Sequence, residues 1–251
     1  MRAGQSMAAK TNTVPARPQT GYSHGAIAAA LGSEILSGQR LPGSRLPSVE
    51  EMHDRFGVSR VVVREVTKTL TAKGLVASKT KVGTIVLDPS HWNWLDAEVL
   101  EWRVQAGLDH AFLEQIVAVR IAIEPAAAAL AARHRTARAL TQLRACIEAM
   151  RAAEGDNRRY AEADLAFHLA LGQASGNPLV GSFGAVIKVA LKGFMALSAA
   201  SLKEVEKGHG GSTGRHAAIV EAIAAHDEDG ARAAMLKVIA GGQKHAGRRL
   251  R

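Results

Sequence analysis

Residues 46–74 read LPSVEEMHDRFGVSRVVVREVTKTLTAKG, and this stretch predicts two helices joined by a tight turn. Ser48 is placed to cap the first helix, and Glu51 follows at the spacing of a capping box. Gly57 ends that helix, and Ser59 opens the second one after a single intervening residue. Two helices with so short a connection predict a helix-turn-helix unit, whose second helix has the width of the DNA major groove.

The segments on either side extend this prediction. Between residues 24 and 36 apolar positions recur at three-to-four spacing, which indicates an amphipathic helix that stops at Gly38. Residues 39–47 contain two prolines and a glycine, a composition that breaks regular structure. Residues 75–88, LVASKTKVGTIVLD, alternate apolar and polar side chains around a basic centre. This alternation predicts a two-stranded hairpin with a basic tip, which we call the wing.

Positive charge is concentrated in the same part of the chain. The formal net charge is +9, and residues 1–90 hold 12 Lys/Arg against 6 Asp/Glu, whereas residues 91–251 hold 20 against 17. On the second predicted helix Arg60, Arg64 and Lys68 lie four apart on one face. Such a stripe can meet phosphates and base edges together. Each feature alone is common on a solvated surface, but helix, turn, helix and basic wing in this order predict DNA binding.

Three segments, ILSGQRLPGSRLPS, FGVSRVVVREVTKTLTAKGL and KVGTIV, resemble the GntR family of bacterial regulators. The resemblance covers residues 35–86 and implies a winged helix-turn-helix at residues 22–87 that binds double-stranded operator DNA. It also implies that the recognition helix begins at Ser59 and that the wing enters the minor groove. The candidate DNA-binding residues are Arg45, Ser48, Ser59, Arg60, Val61, Arg64, Lys68, Lys79, Thr80, Lys81 and Gly83.

One position departs from the family pattern. Many GntR relatives place a base-contacting arginine in the second helix where this chain has Glu50. A carboxylate at that position meets phosphates or a base edge unfavourably. We therefore expect an operator that differs from those of such relatives, with specificity supplied by Arg60, Arg64 and the wing.

Beyond the wing the sequence predicts a linker and an all-α domain. Residues 88–95, DPSHWNWL, suit an extended connector whose two indoles dock on a domain surface. Residues 96–245 are rich in alanine and predict a six- or seven-helix bundle. Helix starts are expected at Asp96, Asp109, Thr136, Asp156, Asn177, Ser212 and Asp227. With a disordered tail at residues 1–21 and a basic tail at 246–251, the predicted fold class is mainly α.

Cysteine content and hydropathy bear on the compartment. The single cysteine, Cys146, excludes an intrachain disulfide framework and a multi-cysteine zinc site. The sequence contains no uninterrupted apolar run of about 20 residues, and its first 20 residues lack the apolar stretch of a signal peptide. We expect a cytoplasmic protein with no membrane partner.

Three polar features of the helical domain could bind a ligand. Arg120 and Glu124 lie four apart in an apolar surrounding, Asp164 and His168 lie four apart on one predicted helical face, and His216 opens a later helix. An aspartate with two histidines is an oxygen–nitrogen–nitrogen set for a divalent ion or for hydrogen bonds to a polyhydroxy acid. An internal salt bridge is the commoner role of such a pair.

The segments VRIAIEP, EADLAFH, SGNPLV and RHAAIVEAIAAHDEDGARAAM resemble the FCD effector domain of FadR-type GntR regulators. That subgroup commonly holds zinc or nickel with one aspartate and three histidines, and Asp164, His168 and His216 match three of these positions. Val238 occupies the fourth position, which leaves two alternatives. The three ligands could hold a metal with effector or water in the vacant place, or they could hydrogen-bond an effector without metal.

The resemblance also implies an effector. Arg120 is the natural partner of an effector carboxylate, because its guanidinium fork matches that group. We also expect Glu124 to be an effector-binding residue, together with Asp164, His168 and His216. The segment HWNWLDAEVLEWR, together with the missing last histidine, looks most like the galactonate-operon repressor branch, so sugar acids are the first effector class that we expect.

The sequence disfavours two other functions, that of a hydrolase and that of a nonspecific nucleoid-type protein. The sequence carries no phosphate-binding loop, nucleophile elbow or HExxH zinc motif, so a hydrolase built on Asp164, His168 and His216 is disfavoured. A nonspecific nucleoid-type protein would not require a second domain with inward-facing ionisable groups. The expected function is therefore that of a homodimeric transcription factor, with a carboxylate effector releasing it from its operator and no catalytic residues.

Overall fold

The computed structural model describes residues 22–107, 109–199 and 209–247. The expected tail at residues 1–21 lies outside the described residues, and so does most of the basic tail at 246–251. The mainly α fold class is confirmed, with a small winged unit at the amino-terminal end followed by a helical bundle.

Three helices form the amino-terminal unit: α1 (His24–Leu36), α2 (Val49–Phe56) and α3 (Arg60–Ala72). The capping box at the start of α2 is confirmed, because the Ser48 hydroxyl accepts from the amide of Glu51, and the Glu51 carboxylate accepts from the amide of Ser48. Gly57 ends α2 with a φ of 67°, a left-handed conformation that glycine adopts without strain. The predicted apolar faces meet in one core, whose largest fully buried side chains are Ile27, Leu31, Ile35, Met52, Leu70 and Leu75.

The wing is an antiparallel hairpin of β1 (Val76–Lys79) and β2 (Gly83–Val86). Lys81 at its tip has a φ of 63°. A third segment also pairs with the wing, which the sequence pattern did not predict. Arg45 forms an isolated bridge with Ile85, and the amide of Leu46 donates to the carbonyl of Thr84 at 2.9 Å. The proline-containing loop before α2 is thereby attached to the wing.

The connector differs from the extended segment that was expected. Residues Pro89–His91 form a single 3-10 turn, and Trp92 is buried in the core of the amino-terminal unit. Its indole N–H donates to the carbonyl of Leu87 at 3.0 Å, and its ring centroid lies 5.2 Å from that of Trp94. The connector is compact because these two indoles bury more apolar surface against the domain than an extended chain would.

Helix α4 (Ala97–Gln105) lies between the two halves of the chain. Its Val99 and Trp102 belong to the amino-terminal core, whereas Leu100 packs with residues of the bundle. The indole of Trp102 rests on Gly32 of α1 so closely that a Cβ at that glycine would lie 2.2 Å from the ring. A helix predicted to begin the second domain therefore also completes the core of the first.

The bundle contains α5 (His110–His134), α6 (Ala137–Ala152), α7 (Asn157–Ala174), α8 (Pro178–Gly181), α9 (Gly184–Ala199), α10 (His209–Ala224) and α11 (Glu228–Gly247). Side-chain caps confirm the predicted starts at Asp96, Asp109, Thr136, Asp156 and Asn177. The start at Ser212 was wrong, because α10 already includes His209. A separate start at Gly184 was also missed, since no polar capping residue announces it.

Helix α5 is the central helix of the bundle and contacts α7, α9, α10 and α11. By length and hydropathy alone it is apolar enough to cross a membrane, although charged residues interrupt its apolar run. More than half of its most apolar window is buried inside the protein, and it carries the buried charged pair Arg120 and Glu124. Both observations are typical of the core helix of a helical bundle.

Candidate functional sites

The exposed face of α3 carries the predicted recognition side chains. Arg60, Arg64 and Lys68 are all exposed, and the Ser59 hydroxyl caps the helix by accepting from the amide of Val62. Val61 has 69% of its surface exposed, which is unusual for a large apolar side chain. An exposed valine beside arginines at a helix start could contact a thymine methyl group while the cations meet phosphates and base edges.

Acidic neighbours engage two of these cations. Nη2 of Arg60 lies 3.4 Å from Oε1 of Glu50, and Nζ of Lys68 lies 2.7 Å from Oε1 of Glu65. Arg64, by contrast, takes part in no ion pair among the described residues. The sequence had placed Glu50 near the DNA, but only the packing of α2 on α3 shows that it meets Arg60.

A groove of about 910 Å³ separates the exposed face of α3 from the wing. Its cationic lining residues are Arg40, Arg45, Arg55, Arg64 and Lys68. Two of them, Arg40 and Arg55, are held by Glu34 at 2.6 Å and 2.5 Å. Arg45 lines the groove, as do Ser78 and Val82 on either side of the wing tip, and the tip residues Lys79 to Lys81 are exposed. The arrangement places a cationic groove next to the amino-terminal half of α3, as a nucleic-acid surface requires.

A second site lies inside the bundle, where five ionisable side chains meet. Arg120 and Glu124 come from α5, Asp164 and His168 from α7, and His216 from α10. Four of the five are buried, and Asp164 keeps 16% of its side-chain surface exposed. The four-residue spacings place each pair on one helical face, while helix packing brings His216 to them.

The two histidines point the same nitrogen at one carboxylate oxygen. Nε2 of His216 lies 2.9 Å from Oδ1 of Asp164, and Nε2 of His168 lies 3.7 Å from the same atom. The two Nε2 atoms are 3.4 Å apart. Three ligands of a tetrahedral ion at ~2.0–2.2 Å are about 3.3–3.6 Å from one another. The three separations lie on both sides of this range, so shifts of a few tenths of an ångström would bring the atoms onto one face of a metal coordination tetrahedron.

The outer nitrogens of both rings contact acceptors. Nδ1 of His216 lies 2.9 Å from the carbonyl of Ser212 and can donate to it, and a metal bound at Nε2 would require the proton on Nδ1. Nδ1 of His168 lies 2.7 Å from Oε2 of Glu124, although the carboxylate is off the ring's N–H axis. A carboxylate or carbonyl behind each ring is the usual support of a metal-binding histidine.

Arg120 and Glu124 form a pair within this cluster. Nε of Arg120 lies 2.5 Å from Oε1 of Glu124, and Nη2 lies 3.3 Å from Oε2. The sequence suggested that both side chains contact an effector. The structure shows in addition that Glu124 links the arginine to His168, so that the five groups form one connected network.

Both carboxyl groups of the network have a pKa below the usual value of their residue type. Burial alone raises the pKa of Asp164, but the hydrogen bond with His216 and the charges of His168 and Arg120 lower this pKa to about 2. Burial likewise raises the pKa of Glu124, but His168 and Arg120 outweigh it and lower this pKa to about 2. Asp164 is therefore in the ionised form that a cation ligand requires.

Val238 lies on α11, buried at 7% exposure in the main core of the bundle. It offers no donor atom. Among the described residues, the only group of three metal-ligating side chains with converging atoms is Asp164, His168 and His216. The described residues thus offer three candidate metal ligands, and Val238 does not add a fourth.

Comparison with known proteins gives the family. The model described as bacterial regulatory proteins, gntR family, matches residues 24–86, and the FCD domain matches residues 115–241. The chain belongs to the GntR family. As a GntR regulator with an FCD effector domain it binds DNA to control transcription, and its domains and relatives are not those of enzymes.

Two relatives from Escherichia coli K12 span most of this GntR regulator. An uncharacterized HTH-type transcriptional regulator, YieP, is 35% identical over 208 residues, covering 82% of this chain and 87% of YieP. The galactonate operon transcriptional repressor is 32% identical over 218 residues, covering 85% of this chain and 92% of the repressor.

Solved structures confirm the fold of the GntR regulator. Lar, which controls expression of the Listeria monocytogenes agr system, superposes with a TM-score of 0.61 at 22% identity and covers 90% of this chain and 97% of Lar. McbR/YncC of E. coli superposes with a TM-score of 0.53 at 18% identity and covers 92% of this chain and 100% of its own.

Proposed function

We propose that this regulator is a homodimeric repressor that a small carboxylate, of the sugar-acid class, releases from its operator in the cytoplasm. The observation that carries this proposal is the buried network of Arg120, Glu124, Asp164, His168 and His216. A buried cluster of ionisable groups with strongly shifted pKa values is typical of a binding site. The galactonate operon repressor among the relatives supports both the repressor role and the effector class.

The charge of the network favours a cation together with an anion. Histidines that ligate a metal must be neutral, and in that state one cation, Arg120, faces two carboxylates, so the protein groups of the cluster carry one excess negative charge. Asp164, His168 and His216 would hold zinc or nickel, which would supply positive charge and an open coordination position for a carboxylate. A divalent ion alone leaves one excess positive charge, and a monocarboxylate then balances it. Arg120 would donate to that carboxylate from beside the ion.

Hydroxyl groups beside the network support a polyhydroxy acid. Tyr160 precedes Asp164 by one helical turn, and Ser212 precedes His216 by one turn. The Tyr160 hydroxyl hydrogen-bonds with Ser212 and lies 3.3 Å from the hydroxyl of Thr213. Hydroxyls can both donate and accept, so they match the alcohol groups of a sugar acid better than they match an apolar chain.

DNA binding by a dimer follows from the geometry of helix-turn-helix proteins. Two copies of α3 would enter successive major grooves of a pseudo-palindromic site. Effector binding between α5, α7 and α10 would shift α4, which packs against both α9 and α1. The spacing of the two recognition helices would then change. A coupling free energy of ~1–3 kcal/mol is sufficient for such a response.

The effector is tested by thermal shift. Wild type, Asp164→Asn and the exposed control Asp229→Asn are heated with a panel of sugar acids in the presence of Zn²⁺, Ni²⁺ or EDTA. We expect one acid to raise the melting temperature of wild type and control, but not of Asp164→Asn, because a ligand of the folded state stabilises it. The same acid should weaken binding to a selected operator at fixed salt.

Each part of the proposal can fail separately. If no acid changes the melting temperature or the operator affinity, the proposal that a sugar acid regulates this protein is wrong. If the acid acts equally well in EDTA, it binds without metal. Sedimentation of the free protein tests the dimer. Arg60→Ala should reduce operator affinity more than affinity for unrelated DNA, and equal losses would limit Arg60 to phosphate contacts.

A further inference from the structure

Glu50 and Arg60 form an exposed ion pair that joins the starts of the two helices of the helix-turn-helix. Glu50 lies in the first turn of α2, and Arg60 is the first residue of α3. Their side chains are 71% and 81% exposed, and Nη2 of Arg60 lies 3.4 Å from Oε1 of Glu50. The pair projects from the part of the recognition helix that meets base edges in proteins of this architecture.

Local stability accounts for the acid only in part: in the first turn of α2, Glu50 accepts from its own amide and from the Ser48 side chain. Ser48 and Glu51 close the capping box of α2 between them, so the cap does not require Glu50. An ion pair between two side chains this exposed contributes little to the free energy of unfolding. On a surface that meets phosphates, a carboxylate also weakens sequence-independent attraction to DNA. An acid at this place therefore weakens DNA binding unless a DNA base compensates it.

We propose that Glu50 and Arg60 recognise adjacent base edges as a unit. Arg60 donates its fork to O6 and N7 of a guanine, and Glu50 accepts from the N4 amino group of a cytosine. Both pairings are those that major-groove geometry favours for these side chains. Successive base pairs are ~3.4 Å apart, so side chains in contact reach edges on the same base pair or on neighbouring pairs.

The acid also rejects wrong bases. Guanine and thymine present acceptor oxygens at the major-groove edge, and a carboxylate against an acceptor is repelled and loses its water. Glu50 thus lowers affinity where guanine or thymine is in reach, and it favours cytosine over adenine because the adenine amino group stands beside the acceptor N7. This is specificity by penalising the alternatives. Base recognition is then not confined to Arg60, Arg64 and the wing.

The test is selection of duplexes from a random library by the full-length protein. Wild type is compared with Glu50→Gln, Arg60→Ala and a charge-matched control, Glu65→Gln, whose carboxylate pairs with Lys68 on the same helix. Melting temperatures of all four confirm that each protein is folded. Base preference at each position is then measured by competition with single-substitution duplexes.

We expect Glu50→Gln to lose the preference for cytosine at one position by roughly 5- to 150-fold, the range of one good base contact, and to accept adenine there. Arg60→Ala should lose a guanine preference on the same or the neighbouring base pair. Glu65→Gln should bind all sequences more tightly without changing the motif. An unchanged motif with Glu50→Gln, no motif with wild type, or affected positions more than one base pair apart would each overturn the proposal.

Discussion

Lys73, the C-cap residue of α3, forms an ion pair with Asp96, the N-cap residue of α4. Nζ of Lys73 lies 2.8 Å from Oδ1 of Asp96, and the lysine side chain is only 7% exposed. The same ammonium lies 2.7 Å from Glu98 and 5.3 Å from the centroid of the Trp102 ring. One buried cation therefore joins the end of α3 to the helix that packs on the effector domain.

Replacing this cation should destabilise the protein. Lys73→Met keeps the apolar stem but leaves Asp96 without its cation, and we expect the free energy of unfolding to fall by about 1–2 kcal/mol, since solvent still reaches both carboxylates. Urea unfolding measures the change. Arg158→Met, which removes an exposed pair with Glu162, is the matched control and should change stability by less than about 0.5 kcal/mol. Equal losses in the two variants would contradict this account.

The stabilisation that the Lys73–Asp96 ion pair supplies should be lost at low pH. Burial raises the pKa of Asp96, but hydrogen bonds with Lys73 and the amides of α4 lower it below its usual value. A carboxyl of this kind contributes stability above its unfolded pKa of ~3.9 and loses it as pH falls through the folded value. The difference in unfolding free energy between wild type and Lys73→Met should be constant from about pH 7 to 5 and narrow below about pH 4. A difference just as wide near pH 3 would refute the assignment.

Lys73→Met should also weaken the coupling between effector binding and DNA binding. If Lys73 transmits movement of α4 to α3, Lys73→Met should still bind the effector found by thermal shift but respond to it less on DNA. Regulators of this kind change ligand affinity by roughly 5- to 150-fold, and we expect most of that factor to disappear. Operator titrations with and without effector measure it. An undiminished response would show that coupling travels by another route.

Contact between α1 and α4 leaves no room at Gly32. A methyl group there would lie 2.2 Å from Trp102, so Gly32→Ala should cost about 1–3 kcal/mol of stability through overpacking. Gly25, in the same helix, has nothing within 4 Å of its missing Cβ. Gly25→Ala should therefore stabilise the protein by up to about 1 kcal/mol. Melting curves that shift both variants the same way would disprove the packing argument.

The wing tip allows charge to be removed without disturbing its turn. Lys81 has a φ of 63°, which glycine tolerates, so Lys81→Gly should leave the hairpin intact. If Lys81 contacts a phosphate, the slope of log affinity against log salt should decrease by about 1 for each protomer. Lys237→Ala, an exposed lysine on α11, is the control and should leave the slope unchanged. Identical slopes for Lys81→Gly and wild type would place the wing tip away from DNA.

Features built from neighbours along the chain were predictable. The capping box of Ser48 and Glu51, the end of α2 at Gly57 and the caps of the bundle helices depend on residues within about one helical turn. The pairs Arg120 with Glu124 and Asp164 with His168 follow from the same spacing. The wrong start at Ser212 shows the limit, because a polar residue inside a packed helix resembles a cap in the sequence alone.

The sequence by itself determined the winged helix-turn-helix, the bundle and the side chains that could bind a ligand, since local hydrogen bonds and helical periodicity specify them. Only the tertiary structure decided which of these side chains meet. His216 reaches Asp164 from 52 residues away, Lys73 reaches Asp96, and Arg60 meets Glu50, all through helix packing. Packing depends on how whole apolar faces fit together, and no spacing within one helix records that fit.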